Sequence, residues 1–131
     1  MEKNYTVLYI EDNADNRNLV ERFLKFEGFE VYSAENGRQG LDKAFEVLPD
    51  VCLIDVNLPD INGYEVVKTL NNHPETQNIP KIIFSANDVE PEGEGIGFYY
   101  FLPKPVDVNT LATKLEYAVE HPPNDDTNRE L

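Results

Sequence analysis

The chain has 131 residues, 40% hydrophobic and 27% charged, with a formal net charge of -14 and a single cysteine. That length suits one domain able to bury a core between a sheet and two helical layers. The negative charge opposes direct binding to nucleic acid or anionic lipid, and no apolar run approaches the ~20 residues needed to cross a bilayer. One cysteine, Cys52, lies within an apolar run, so a disulfide framework is excluded, and a core residue in a protein of the reducing cytoplasm is expected.

Five short apolar runs alternate with segments of helical period. Tyr5 to Ile10 reads as the first strand. A helix follows from about Asn13 to Glu27, with Leu19, Val20, Phe23, Leu24 and Phe26 as its buried stripe and Gly28 as its stop. The second strand spans Glu30 to Ala34. Asn36 caps the next helix, whose Leu41, Ala44, Phe45 and Leu48 share a face before Pro49. Val51 to Asp55 reads as a fully buried central strand. The third helix is expected from Asn62-Gly63 to Asn71 with Tyr64, Val67 and Leu70 inward, and Lys81 to Phe84 forms the fourth strand. Tyr99 to Leu102 is the fifth. A last helix capped by Asp107 carries Val108, Leu111, Ala112, Leu115, Ala118 and Val119, and His121-Pro122-Pro123 ends it.

Two segments break the pattern. Between the fourth and fifth strands, Asn87 to Gly97 holds Pro91 and three alternating glycines with almost no apolar stripe, so a mobile acidic loop is expected where a helix should connect. Residues 124–131 are polar and short, which predicts a frayed tail. The expected organisation is one domain over residues 1–121 and a tail over 122–131. The β-α alternation implies a doubly wound α/β fold with a five-stranded parallel sheet, whose functional crevice lies at the carboxyl ends of the strands.

Chemistry-bearing residues gather at those ends: Tyr9-Ile10-Glu11-Asp12, Leu53-Ile54-Asp55-Val56-Asn57-Leu58-Pro59, Phe84-Ser85-Ala86 and Lys104-Pro105. Taken singly, each has an ordinary reading. Asp12 can cap a helix, Asp55 can be a turn residue, and Lys104 can be a surface charge. Taken together and in order, they resemble the receiver domain of two-component response regulators over about Tyr5 to Glu120.

The resemblance implies the flavodoxin-like strand order 2-1-3-4-5 and a protein that is not a conventional enzyme, beyond catalysing its own phosphorylation and dephosphorylation. It implies Asp55 as phosphoacceptor, with a histidine kinase or histidine phosphotransfer protein as donor and a downstream protein as output. Mg2+ would be held by Asp12, Asp55 and the backbone carbonyl of Asn57, with Glu11 acting directly or through water. Lys104 would pair with Asp55 and then with a phosphoryl oxygen, Ser85 would donate its hydroxyl, and Phe101 would take the place of the switch aromatic. Pro105 matches the family's cis peptide bond. Phe101 lacks a phenolic hydroxyl, so it can report only through packing.

A single-domain regulator is the expected form, with a receiver excised from a longer protein as the alternative. A phosphorylation-independent binding module is the competing function. An aspartyl-phosphate hydrolase usually needs a second acid two residues after its nucleophile, and position 57 is Asn. His73 and His121 lack neighbours at ligand spacing and read as solvated loop residues.

Overall fold

A computed structural model describes residues 4–85, 96–105, 107–123 and 129–131. Its elements are β1 (Thr6–Ile10), α1 (Ala14–Phe26), β2 (Glu30–Ala34), α2 (Gly37–Val47), β3 (Val51–Asp55), α3 (Gly63–Asn71), β4 (Lys81–Ser85), β5 (Tyr100–Pro103), α4 (Val108–Glu120) and β6 (Arg129–Glu130). The sheet runs β2-β1-β3-β4-β5-β6, so its first five strands carry the expected 2-1-3-4-5 order. Every ladder is parallel.

Period-two alternation along the strands divides the core between the two faces. One face brings Val7, Tyr9, Val51, Leu53, Ile82, Phe84, Tyr100 and Leu102 against α1 and α4. The other brings Leu8, Ile10, Cys52, Ile54, Ile83 and Phe101 against α2 and α3. Cys52 is the buried core residue expected, and burial pushes its thiol up to about 12, so it is inert at neutral pH. No described helix is long and apolar enough to cross a membrane.

Asparagine or aspartate caps each of the four described helices: the side chains of Asn13, Asn36, Asn62 and Asp107 accept backbone N–H groups of the first turn. Two helix stripes differ from expectation. On α1, Val20 and Leu24 are buried, whereas Leu19 is 60% and Phe26 86% exposed. Seven residues apart, Leu19 and Phe26 share a face rotated away from the Val20–Leu24 line. On α2, Ala44 is buried but Phe45 and Leu48 are exposed, Leu48 serving as a left-handed C-cap with φ 51°.

The chain's end corrects a second expectation. Instead of fraying, residues 129–131 return to the sheet: Tyr100 pairs with Arg129 and Phe101 with Glu130, and Leu131 N–H donates to the Phe101 carbonyl at 2.8 Å. A sixth strand is therefore added to the five expected. Residues 87–95 of the segment expected to be a loop, residue 86 before it, and residues 124–128 of the tail lie outside the described residues.

Lys81 is wholly buried at the start of β4. Its ammonium donates to the carbonyls of Thr76 at 2.6 Å and Gln77 at 3.2 Å, tying the loop after α3 to the sheet. Burial lowers its pKa from the ordinary 10.5 to about 8.

Candidate functional site

Parallel pairing brings the expected residues to one edge. Ile10 pairs with Ile54, Asp55 with Phe84, and Ser85 with Pro103, so Glu11-Asp12, Asp55, Ser85 and Lys104 all leave the sheet at the same end. One carboxylate oxygen from each of Glu11, Asp12 and Asp55 lies within 4.8 Å of the others. Asp55 and Glu11 are buried and Asp12 is exposed, which leaves one side of the cluster open to solvent.

Lys104 closes the opposite side. Its ammonium lies 3.2 Å from both carboxylate oxygens of Asp55 and 5.1 Å from the centroid of the Phe84 ring, where a cation is attracted to the ring face. The Lys104–Pro105 peptide is cis, as the sequence suggested. Backbone contacts fix the acceptor: Asn57 N–H donates to Asp55 Oδ1 at 3.0 Å, and Gly63 N–H donates to the Val56 carbonyl at 2.9 Å. A Cβ at Gly63 would stand 2.4 Å from the Asp55 carbonyl, so this close approach requires glycine.

Residues the sequence reading passed over complete the site. Arg17 Nη1 donates to the Glu11 carbonyl at 2.9 Å and the Asp12 carbonyl at 3.4 Å, while Nη2 pairs with Glu35 at 3.4 Å. It thereby holds the loop that carries the acidic pair. Tyr9 is buried close to Glu11, with its ring 5.9 Å from Phe84. Burial, then the charges of Glu11 and Asp55, push the Tyr9 phenol far up. Asp60 accepts from the Gly37, Arg38 and Ile61 amides at 2.8, 2.9 and 2.8 Å, anchoring the loop after β3 to the start of α2. The only sequence signal for Arg17 was its place in the first helical turn after the acidic pair.

Asn13, and not Asp12, caps α1, with Oδ1 accepting from Asn16 N–H at 2.9 Å. That leaves Asp12 outside the cap and inside the cluster. Burial first, then a hydrogen bond shared with Asp55 and that group's charge, push the Glu11 carboxyl well above the usual range. Three carboxylates facing one ammonium fit a hard divalent cation, which would relieve this repulsion through oxygen ligands. Ser85 ends β4 in register with Pro103, and its side chain lies outside the described residues. Phe101 is buried against the α2–α3 face. His73 and His121 are exposed, each with its ring nitrogen at a helix carbonyl, and neither belongs to the acidic cluster.

Residues 7–116 match the model of the response regulator receiver domain. The chain belongs to that family. It is 34% identical over 108 residues to protein PilH of Pseudomonas aeruginosa, covering 80% of this chain and 89% of the relative. Among solved structures it is similar to the chemotaxis response regulator CheY4 of Vibrio cholerae, with a TM-score of 0.79 and 30% identity over 87% of this chain and 98% of that one. It is also similar to the receiver domain of the sensor histidine kinase PA1611 from Pseudomonas aeruginosa, with a TM-score of 0.80 and 25% identity over 90% of this chain and 99% of that one. That receiver was crystallised with a magnesium ion coordinated in its active site cleft. As a receiver domain, this chain is a signalling module.

Proposed function

We propose that this receiver is a cytoplasmic phosphoacceptor that takes a phosphoryl group on Asp55 from a histidine kinase or histidine phosphotransfer protein and signals by protein contact. The observation that carries the reading is the buried Asp55 carboxylate, gathered with Glu11 and Asp12 and paired at 3.2 Å with Lys104. An Asp55 oxygen attacks phosphorus; the P–N bond to the donor imidazole breaks, its electron pair returns to the ring, and a mixed anhydride forms. Glu11, Asp12, Asp55 and the Asn57 carbonyl would hold Mg2+. Bound there, the ion would neutralise charge on the transferring group.

The chain's own groups do the remaining work. Lys104 transfers its ion pair from the Asp55 carboxylate to a phosphoryl oxygen, and the Ser85 hydroxyl donates to another. Arg17 keeps the Glu11-Asp12 loop in place throughout, through its bonds to both carbonyls. Because β5 carries Phe101 three residues before Lys104, movement of Lys104 is passed to the packing of Phe101.

The test is incubation with Mg2+ and acetyl phosphate followed by intact-mass measurement, beside an Asp55→Asn control. A single phosphoryl adduct on the native chain and none on the variant is expected. No adduct under any metal condition sinks the proposal and favours the phosphorylation-independent module.

A further inference from the structure

Asp60 is exposed, lies outside the acidic cluster and follows Asp55 in the loop between β3 and α3. An aspartate in such a place is ordinarily a turn residue. This one also reaches another element. Its Oδ1 accepts from the Gly37 and Ile61 N–H groups, both at 2.8 Å, and its Oδ2 accepts from the Arg38 N–H at 2.9 Å. Gly37 and Arg38 open α2, whose next amide, Gln39 N–H, donates to the Asn36 side chain at 2.8 Å. The start of α2 therefore has two caps, one local and one supplied by the loop that follows the phosphoacceptor.

That loop also carries Asn57. Backbone bonds hold its two ends, because the Leu58 and Gly63 N–H groups both donate to the Val56 carbonyl, at 3.2 and 2.9 Å. Between those ends, and among the described residues, Asp60 makes the only hydrogen bonds that tie residues 59–61 to another element. Packing reinforces them: a Cβ at Gly37 would stand 2.3 Å from Ile61 Cγ1, so α2 begins directly against the loop. The other ligand loop is tied to the same place. Arg17, which holds the Glu11 and Asp12 carbonyls, pairs with Glu35 at 3.4 Å, and the Glu35 N–H donates to Gln39 Oε1 at 3.1 Å. An exposed ion pair is a weak link, so the Asp60 connection is the firmer of the two.

We propose that Asp60 is a positioning residue of the metal site: its carboxylate clasps the β3–α3 loop to the start of α2 and so orders the Asn57 carbonyl before Mg2+ binds. This rests on the phosphoacceptor reading, in which that carbonyl is a ligand. A clasped loop is already ordered, whereas a released one samples arrangements that do not bind. Apparent affinity falls with the fraction of molecules that are competent, so release that leaves about one in ten competent raises the dissociation constant about tenfold. Losses of that order are usual when a group supporting a metal ligand is removed.

The experiment titrates Mg2+ into the full chain without phosphodonor and follows the Asn57 amide resonance by NMR. Asp60→Ala removes both acceptor oxygens and should raise the Mg2+ dissociation constant about tenfold. Asp60→Asn loses the same charge but keeps Oδ1 as an acceptor, and should raise it only about threefold. Because both variants lose the charge, the gap between them reads the hydrogen bonds. Asn36→Ala weakens the same helix start without releasing the loop, and should bind Mg2+ as the native chain does. With acetyl phosphate, Asp60→Ala should need about tenfold more Mg2+ yet reach the native rate at saturation. Native-like Mg2+ affinity in Asp60→Ala, equal weakening in Asp60→Ala and Asp60→Asn, a matching loss in Asn36→Ala, or a rate that stays low at saturating Mg2+ overturns the proposal and leaves the phosphoacceptor reading standing. A native chain that binds no Mg2+ overturns both.

Discussion

Replacing Lys81 with methionine isolates a pH dependence that the fold writes into one residue. The ammonium is wholly buried and bonds only to the Thr76 and Gln77 carbonyls among the described residues, with no carboxylate partner. The unfolded chain holds this proton up to the ordinary 10.5, whereas the folded chain releases it at about 8. Between those values the unfolded state binds more protons, so stability rises with pH. The contribution is fully present above the unfolded value and is lost as pH falls through the folded one. At 1.36 kcal/mol per unit, the rise between pH 7 and about pH 9.5 is about 2 kcal/mol. Lys81→Met leaves the Gln77 carbonyl without this donor, at about 1–3 kcal/mol, while the Thr76 carbonyl keeps the Ile79 N–H at 3.1 Å; that cost does not vary with pH. The assay is urea denaturation followed by far-ultraviolet circular dichroism at both pH values, since the chain has no tryptophan. The native-minus-variant stability difference should grow by about 2 kcal/mol on going to the higher pH. A difference that is flat, or that shrinks with rising pH, refutes the assignment of a strained buried ammonium.

Three further outcomes follow from the site. Gly63→Ala drives a Cβ into the Asp55 carbonyl and should cost about 1–3 kcal/mol in denaturant unfolding, with weaker phosphoryl acceptance; an unchanged midpoint would falsify the close approach. Lys104→Ala should still gain a phosphoryl adduct but lose the phosphorylation-dependent shift of the Phe101 amide resonance, and a full native shift would contradict the coupling. Mg2+ at ten times its dissociation constant should stabilise the native chain by about 1.4 kcal/mol, seen as a higher melting temperature. Asp12→Asn should abolish that gain, and an undiminished gain would place the cation elsewhere.

Much of this fold is legible from local signals that tertiary structure did not have to override. Short continuous apolar runs marked the five main strands, and the capping residues Asn36, Asn62 and Asp107 marked their helices. The acidic cluster was legible because parallel strands must end on a common edge, so order along the chain became proximity in space. What the sequence concealed depends on geometry that periodicity does not encode. Leu19 and Phe26 are apolar but lie off the buried line of α1, and Lys81 is charged yet buried because two loop carbonyls happen to meet its ammonium. Strand β6 was hidden for a related reason: a two-residue strand has no period, and its existence depends on the open edge of β5. Arg17 and Tyr9 look like ordinary helix and strand residues until the loop between them folds back.

Locating the phosphoryl group on a single residue tests the central claim most directly. After reaction with acetyl phosphate and Mg2+, borohydride reduces an acyl phosphate to the corresponding alcohol, and peptide mass spectrometry reads which aspartate became homoserine. The arrangement of Asp55 beside Lys104, Glu11 and Asp12 predicts homoserine at position 55 alone. Homoserine at position 12, or its absence from every acidic residue of a chain that retains its fold, would contradict it.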